Sequence, residues 1–372
     1  MKLAAIFLLF VTLQTSAHVK IIHLNIGQGD ATIIIGPTVN GIKKTILVDT
    51  GNIKNPDAGK VITAFLKEHN IKKLDAVILT HYDADHIGGL VTKSVNDSRN
   101  YWGTRLQDGV DAIRKTNDDI SITMLVDRGE SNSSSLSSAT FRKYKEFAAS
   151  HPNRVSLKSL NDVTNFKIEL GDGAVLEALS ANGFVKGSSS IIENVTTENE
   201  RSLSFLLTYK NFHYYVGGDV TGRTASGEDA KLELAIVNYL ESHNISLDAF
   251  QVNLHGADNG SSKLFLDKSK PKVAIISAGN ADSHEHPTFG TLERLANTTS
   301  IENIYVTAFG NTLWDDSVLI KNGNSLTSNE KSRIETITKI RQKLIILQGD
   351  IHLTTDGHQF TVFALPKPYS AN

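Results

Sequence analysis

The sequence predicts an α/β fold in which two packed sheets are flanked by helices and carry a polar site along one rim. Three observations lead there. Strand-like runs joined by short glycine turns are followed by helical spacing, and this order occurs twice along the chain. In each half an apolar strand runs straight into a cluster of His and Asp. Of 372 residues, 40% are hydrophobic and 21% charged, which is enough apolar material for a full core.

Residues 19–24 and 31–35 read as β-rich runs joined by Gly27-Gln28-Gly29-Asp30, and residues 44–49 as a third, closed by Thr50-Gly51. Such spacing predicts an antiparallel meander. Val61, Ile62, Phe65 and Leu66 give residues 58–69 helical periodicity, and residues 74–80 form a buried-type strand that ends at His81. Between 91 and 165 the pattern is less regular and reads as an elaboration of the same domain. It contains helical runs at 104–115 and 141–150, a strand at 123–126, and a serine-rich loop at 131–138. The second half offers strands at 166–170, 174–179, 202–209 and 212–216, the last ending at Gly217-Gly218-Asp219. A helix at 229–243, a strand at 250–254 delivering His255, a strand at 273–278 and a helix at 288–295 follow. Residues 351–354 and 359–363 pair as a hairpin about Asp356-Gly357.

Residues 1–17 stand apart. A basic Met1-Lys2 start, an apolar run from Leu3 to Leu13 and the small residues before His18 have the order of a secretory signal peptide. The mature protein is thus expected to begin near His18, with no later membrane span, secreted or periplasmic. The chain has no cysteine, so neither disulfides nor thiolate ligands are available, and any metal must sit on His, Asp, Glu or water. A formal charge of −2 argues against a molecule that is basic as a whole.

The sharpest signal is His81-Tyr82-Asp83-Ala84-Asp85-His86-Ile87-Gly88-Gly89, with four metal-competent side chains in one short loop. His plus carboxylate suits Zn²⁺, with Mn²⁺ or Fe²⁺ as alternatives. Asp49, two residues before Gly51, and Asp219, directly after Gly218, are either site residues or turn-forming aspartates. His255 is either a ligand or a satisfied core histidine.

These residues carry a resemblance. The chain is similar to the metallo-β-lactamase superfamily, whose metal motif is His-x-His-x-Asp-His, and more narrowly resembles the hydrolase domain of ComEC-type competence proteins, where His-x-Asp-x-Asp-His is usual. Gly27-Gln28-Gly29-Asp30, Leu47-Val48-Asp49-Thr50-Gly51, Arg201-Ser202-Leu203-Ser204, Gly217-Gly218-Asp219, Leu254-His255-Gly256 with Gly260-Ser261-Ser262, and His286-Pro287 match in the same order. The resemblance implies a four-layer αββα sandwich. It also implies a role for each residue. His81 and Asp83 would hold a first metal, and Asp85, His86 and His255 a second, with Asp219 bridging. Asp49 would orient a ligand histidine, with Asp30 in the same outer layer. His286 would meet the substrate or protonate a leaving oxygen, or serve as a structural loop residue. Ser261 and Ser262 would offer donors to a bound anion or be ordinary turn residues. Asp85 would steady a metal-bound hydroxide. A phosphodiesterase or nuclease acting on nucleic acid is the implied function. Hydrolysis of a lactone, ester or amide on the same site, and a non-catalytic secreted binding protein, are the alternatives. Two departures stand out. Leu254 occupies the usual first position of a histidine pair, and the superfamily's isolated third-motif histidine has no counterpart, which implies a weakly held first metal or a single-ion site.

Overall fold

The computed structural model describes residues 18–53, 57–91, 120–130, 134–192, 195–222, 231–279, 286–308 and 328–365. The expected signal segment, the helix at 104–115 and residues 283–285 lie outside them.

In chain order the first half contains β1 (Val19–His23), β2 (Thr32–Ile35), β3 (Thr45–Val48), α1 (Ala58–Glu68), β4 (Lys73–Leu74), β5 (Ala76–Ile78), α2 (Ala84–Ile87), β6 (Ser121–Ile122), β7 (Leu125–Asp127), α3 (Ala139–Ser150), β8 (Arg154–Ser156) and α4 (Leu160–Asn165). The second half contains β9 (Lys167–Gly171), β10 (Ala174–Ala181), β11 (Phe184–Val185), β12 (Ser204–Tyr209), β13 (Phe212–Val216), α5 (Lys231–Ser242), β14 (Ala249–Gln251), α6 (Lys263–Ser269), β15 (Val273–Ile276), α7 (Phe289–Asn297), β16 (Asn303–Val306), α8 (Ser328–Lys343) and β17 (Leu344–Ile346). The hairpin β18 (Asp350–Thr355) and β19 (Phe360–Leu365) returns to the first sheet.

That sheet runs β19-β18-β1-β2-β3-β5-β7-β8, and the second runs β11-β10-β12-β13-β14-β15-β16-β17, with β9 on β10. Each begins antiparallel and turns parallel, at β3–β5 in one and β13–β14 in the other. The expected meander therefore holds for β1 to β3 and not beyond. A crossover helix such as α1 can only return the chain in the same direction, which makes β5 parallel to β3.

Inward residues of both sheets, among them Ile21, Ile46, Ile78, Phe205, Tyr214 and Ile275, form one buried cluster. The outer face of the first sheet packs on α1 and α3 through Ile62, Phe65, Phe141 and Tyr144. That of the second packs on α5 to α8 through Ile236, Phe265, Leu292 and Ile340. The result is the αββα sandwich. Each fully buried side chain of this size stabilises the fold by about 1.5–3 kcal/mol before conformational entropy is counted.

The single strand expected at 74–80 is split. Leu74 pairs with Ile122 in a small separate sheet, while Ala76–Ile78 joins the main one. The strand expected at 250–254 ends at Gln251, because Leu254 and His255 turn left-handed (φ 56° and 52°). The serine-rich loop is described from Ser134 onward. Ser134–Ser137 makes a 3₁₀ turn, and the Ser138 hydroxyl caps α3 by accepting from Phe141 N at 3.0 Å.

Candidate metal centre

The parallel strands of both sheets point their carboxyl ends at one rim, where open α/β sheets place their sites. From the first sheet come Asp49 after β3 and the 81–86 loop after β5. From the second come Asp219 after β13, His255 after β14 and Ser277 after β15. The Gly27–Asp30 turn closes over them. Gly29 (φ 124°) lies so near Asp85 that a Cβ there would sit 2.4 Å from the Asp85 carbonyl oxygen. Glycine is therefore required, and the Asp30 amide donates to that carbonyl at 3.2 Å.

The histidines are oriented from behind. His86 Nδ1 donates to Asp49 Oδ2 at 2.9 Å, and Asp49 is fixed in turn by the Thr80 amide and hydroxyl at 2.8 and 2.7 Å. His255 Nδ1 donates to the Ser277 carbonyl at 3.1 Å. The Ser277 hydroxyl reaches His23 Nδ1 at 3.4 Å, inside the sandwich, where burial lowers the His23 pKa to about 4. His81 Nδ1 stands 3.1 Å from the Thr80 hydroxyl. These bonds assign the proton of each ring to Nδ1 and leave the Nε2 lone pairs facing the cluster.

His86 Nε2 and His255 Nε2 lie 3.2 Å apart. Asp219 Oδ1 is 3.4 and 3.5 Å from them, and Asp85 Oδ2 is 3.5 Å from His255 Nε2 while Oδ1 is 4.0 Å from His86 Nε2. Ligands placed about 2.1 Å from a tetrahedral ion stand about 3.4 Å from one another. The donor set Asp85, His86, Asp219 and His255 therefore fits a divalent cation. On the other side of Asp219, His81 Nε2 is 3.7 Å from Oδ2 and 3.5 Å from Asp83 Oδ2. This second pocket has three donors. His81 Nε2 and Asp219 Oδ1 are buried without a hydrogen bond among the described residues.

Such an array of lone pairs calls for positive charge. In the metal-free protein burial works against protonation of His86 and His255, but the neighbouring carboxylates, Asp219 foremost, raise both well above the usual histidine value. Burial would raise Asp85 and Asp219, yet the histidines hold both well below the usual carboxylate range.

One ligand atom each from Asp30, His86, Asp219 and His255 also lies within 4.8 Å of the others. Asp30, however, faces the Nδ1 edges, 3.6 Å from His255 and 3.9 Å from His86, and those nitrogens already have partners. Its position is thus behind the rings, where Asp85 is not. His286 stacks near-parallel on His255, with centroids 6.3 Å apart and planes at 19°. Ser261 and Ser262 lie in the loop that follows His255. Both are buried, with the Ser261 hydroxyl accepting from Asn253 N and the Ser262 hydroxyl capping α6. The Ser262 amide is spent on Glu233, whose carboxyl burial pushes above its usual range. These bonds hold the loop that carries His255.

Sequence reasoning missed Thr80, Ser277, Arg128 and Glu198. Thr80 was signalled by adjacency to His81 and Ser277 by its place at a strand end. Glu198, whose carboxylate accepts from Tyr82 N across 116 positions, gave no local signal. A cleft of about 640 Å³ lined by Lys20, Lys43, Lys72 and Lys73 lies at the opposite rim, where β1 and β3 begin, and is separate from the metal cluster.

Two mixed sheets packed face to face thus carry, on their common rim, a buried His/Asp cluster suited to a divalent cation. Residues 24–92 match the family model described as metallo-beta-lactamase superfamily. ComE operon protein 3 of Bacillus subtilis (strain 168) is 24% identical over 302 residues, covering 78% of this chain and 32% of that protein. The chain thus spans about a third of that relative's length. Among solved structures, Zn(2+)-bound PqqB from Methylobacterium extorquens is 15% identical with a TM-score of 0.41, covering 90% of this chain and 99% of that one. A diphosphatase from the PhnP family is 12% identical with a TM-score of 0.38, covering 94% and 100%. The chain is thus similar to the metallo-beta-lactamase superfamily through residues 24–92 and, over most of its length, to ComE operon protein 3. Among the described residues no helix is long and apolar enough to cross a membrane.

Proposed function

We propose that this protein is an exported, divalent-metal-dependent hydrolase of phosphodiesters, with nucleic acid as its substrate. The observation that carries the reading is the arrangement about Asp219, whose two oxygens face two different donor sets. Two adjacent cation pockets sharing one carboxylate suit a reaction in which attacking and leaving oxygens both need stabilising, as at a phosphoryl centre. When bound, divalent ions supply Lewis acidity and lower the pKa of water to about 7. Asp85 is the partly exposed member of the four-donor set, with 24% of its side chain accessible. It is positioned to orient water and accept its proton. Asp49, Thr80 and Ser277 keep the histidine tautomers fixed, and His286, beside His255, donates to the leaving oxygen. The nucleic-acid assignment is supported by the ComEC-type resemblance, and export by the leader-like residues 1–17.

The test is a substrate panel on metal-loaded protein, comparing bis-p-nitrophenyl phosphate, a lactone and nitrocefin, with Asp85→Ala as control. The phosphodiester should be cleaved and the control should lose about 10²–10⁴-fold in rate. Turnover of the lactone or nitrocefin with the phosphodiester untouched would overturn the substrate class. Wild-type rates in Asp85→Ala would remove Asp85 from the chemistry.

A further inference from the structure

The three-donor pocket holds a single histidine, and its arm is braced through the residue between His81 and Asp83. Tyr82 lies between the ligands His81 and Asp83 and is pinned twice. Its ring is fully buried against Phe141 and Tyr144, with centroids at 4.8 and 5.3 Å, and the Arg128 guanidinium sits 4.4 Å from the ring centroid. Its amide donates to Glu198 Oε1 at 2.9 Å. Arg128 has no exposed side-chain surface and grips the same carboxylate with two bonds, Nε to Oε1 at 2.7 Å and Nη2 to Oε2 at 2.6 Å. Arg128 follows β7 in the first sheet, whereas Glu198 precedes β12 in the second, and Asn182, after β10, accepts from Arg128 Nη1 at 3.1 Å. A desolvated bidentate pair therefore ties the sheets together at the residue between two ligands.

We propose that the Arg128–Glu198 pair is a positioning device for the His81/Asp83 arm, and that through Tyr82 it decides whether the three-donor pocket holds a divalent ion. The inference rests on the reading of the cluster as a metal centre. Removing one partner strands a buried charge and would endanger folding, whereas replacing both with neutral groups leaves none. The informative pair is therefore Arg128→Met/Glu198→Gln, which keeps an oxygen for the Tyr82 amide, and Arg128→Met/Glu198→Leu, which removes it.

The experiment is titration of the full-length metal-free protein with Mn²⁺ and Zn²⁺, read as stoichiometry and affinity by calorimetry and elemental analysis, with thermal melting as a fold control. The Gln variant should bind two ions with affinities within about threefold of wild type. The Leu variant should lose about 10–100-fold in affinity for the weaker ion and keep the tighter one, the range expected when a group supporting a ligand is withdrawn. If the Leu variant does not fold, Glu198→Asp keeps the charge and draws the oxygen back from Tyr82 N, and the same selective loss is expected. Unchanged affinity for both ions, or equal loss of both in a folded variant, overturns the inference and leaves the metal-centre reading standing. So does wild-type protein that saturates with one ion. Wild-type protein that binds no ion overturns both.

Discussion

On the His86 side of Asp219, four donors close at tetrahedral spacing, and each histidine has its second nitrogen bonded to a carboxylate or a backbone carbonyl. On the His81 side there are three donors, one of them Asp83 with 35% of its side chain accessible, and the histidine is backed by the neutral hydroxyl of Thr80. An anionic or carbonyl partner at Nδ1 raises the basicity of Nε2 more than a hydroxyl does. The difference predicts unequal affinities, with the four-donor pocket filling first. It also shows how one shared carboxylate can serve two pockets whose other walls come from different sheets.

The strongest way to break the comparison is to remove what the pockets share. Asp219→Ala should abolish binding of both ions and lower kcat/KM by about 10³-fold or more, since both pockets lose a ligand and the metal chemistry goes with them. Retention of either ion at wild-type affinity would show that Asp219 is not shared. Next in size is the contrast between His255→Ala and His81→Ala. His255→Ala should weaken the tighter ion by about 100-fold, whereas His81→Ala should leave that ion in place and abolish the weaker one, as metal titration will show. The reverse order would mean that the three-donor pocket is the primary one.

Acidity sharpens the comparison further. In the metal-free protein His86 and His255 hold their protons well above pH 6.5, so the ion at the four-donor pocket must displace them. Its apparent affinity should rise with pH by about 10-fold per unit for each proton displaced, and calorimetry in buffers of different ionisation enthalpy counts those protons. The sign for folding is opposite. Raised histidine values stabilise the metal-free fold below pH 6.5, and that contribution is lost as pH climbs through the folded values. The depressed Asp85 and Asp219 stabilise it above about pH 3.8, and that contribution is lost in acid. A metal-free melting temperature that rises steadily from pH 7 to 9 would contradict this. Asp49→Asn, which removes the anion behind His86, should cost about 10–100-fold in affinity for the tighter ion and little for the weaker one.

Much of this was legible in the sequence because the signals are local. The 81–86 run packs four donors into one loop, and apolar strands ending at Asp49, Asp219 and His255 mark the rim. The two-sheet layering followed from repetition of strand runs and helical spacing. What was not legible depends on the third dimension. The switch from antiparallel to parallel at β3–β5 is set by the α1 crossover and not by composition. The left-handed Leu254-His255 pair follows no residue rule, since neither side chain favours that region, and each such residue costs about 1–2 kcal/mol that the surrounding packing must offset. Whether Ser261 and Ser262 serve an anion or the turn stays open in the sequence, because the burial of their hydroxyls is set by the fold. Glu198 was invisible because its partners, Tyr82 and Arg128, are joined to it only by folding.

The smallest expected effect comes from Thr80, whose side chain touches the supports of both pockets. The Thr80 hydroxyl donates to Asp49 at 2.7 Å, stands 3.1 Å from His81 Nδ1 and 3.5 Å from His86 Nδ1, and is crowded by Gly218, where a Cβ would lie 2.5 Å from it. Thr80→Val keeps the volume and deletes these bonds. Asp49 retains the Thr80 amide and His86, so the tighter ion should lose little. His81 loses the Nδ1 partner that fixes its tautomer, so the weaker ion should lose about fivefold, the equivalent of one neutral hydrogen bond near 1 kcal/mol. A Thr80→Val protein that weakens both ions equally would mean that the hydroxyl acts through Asp49 alone, and that the two pockets are less independent than their donor sets imply.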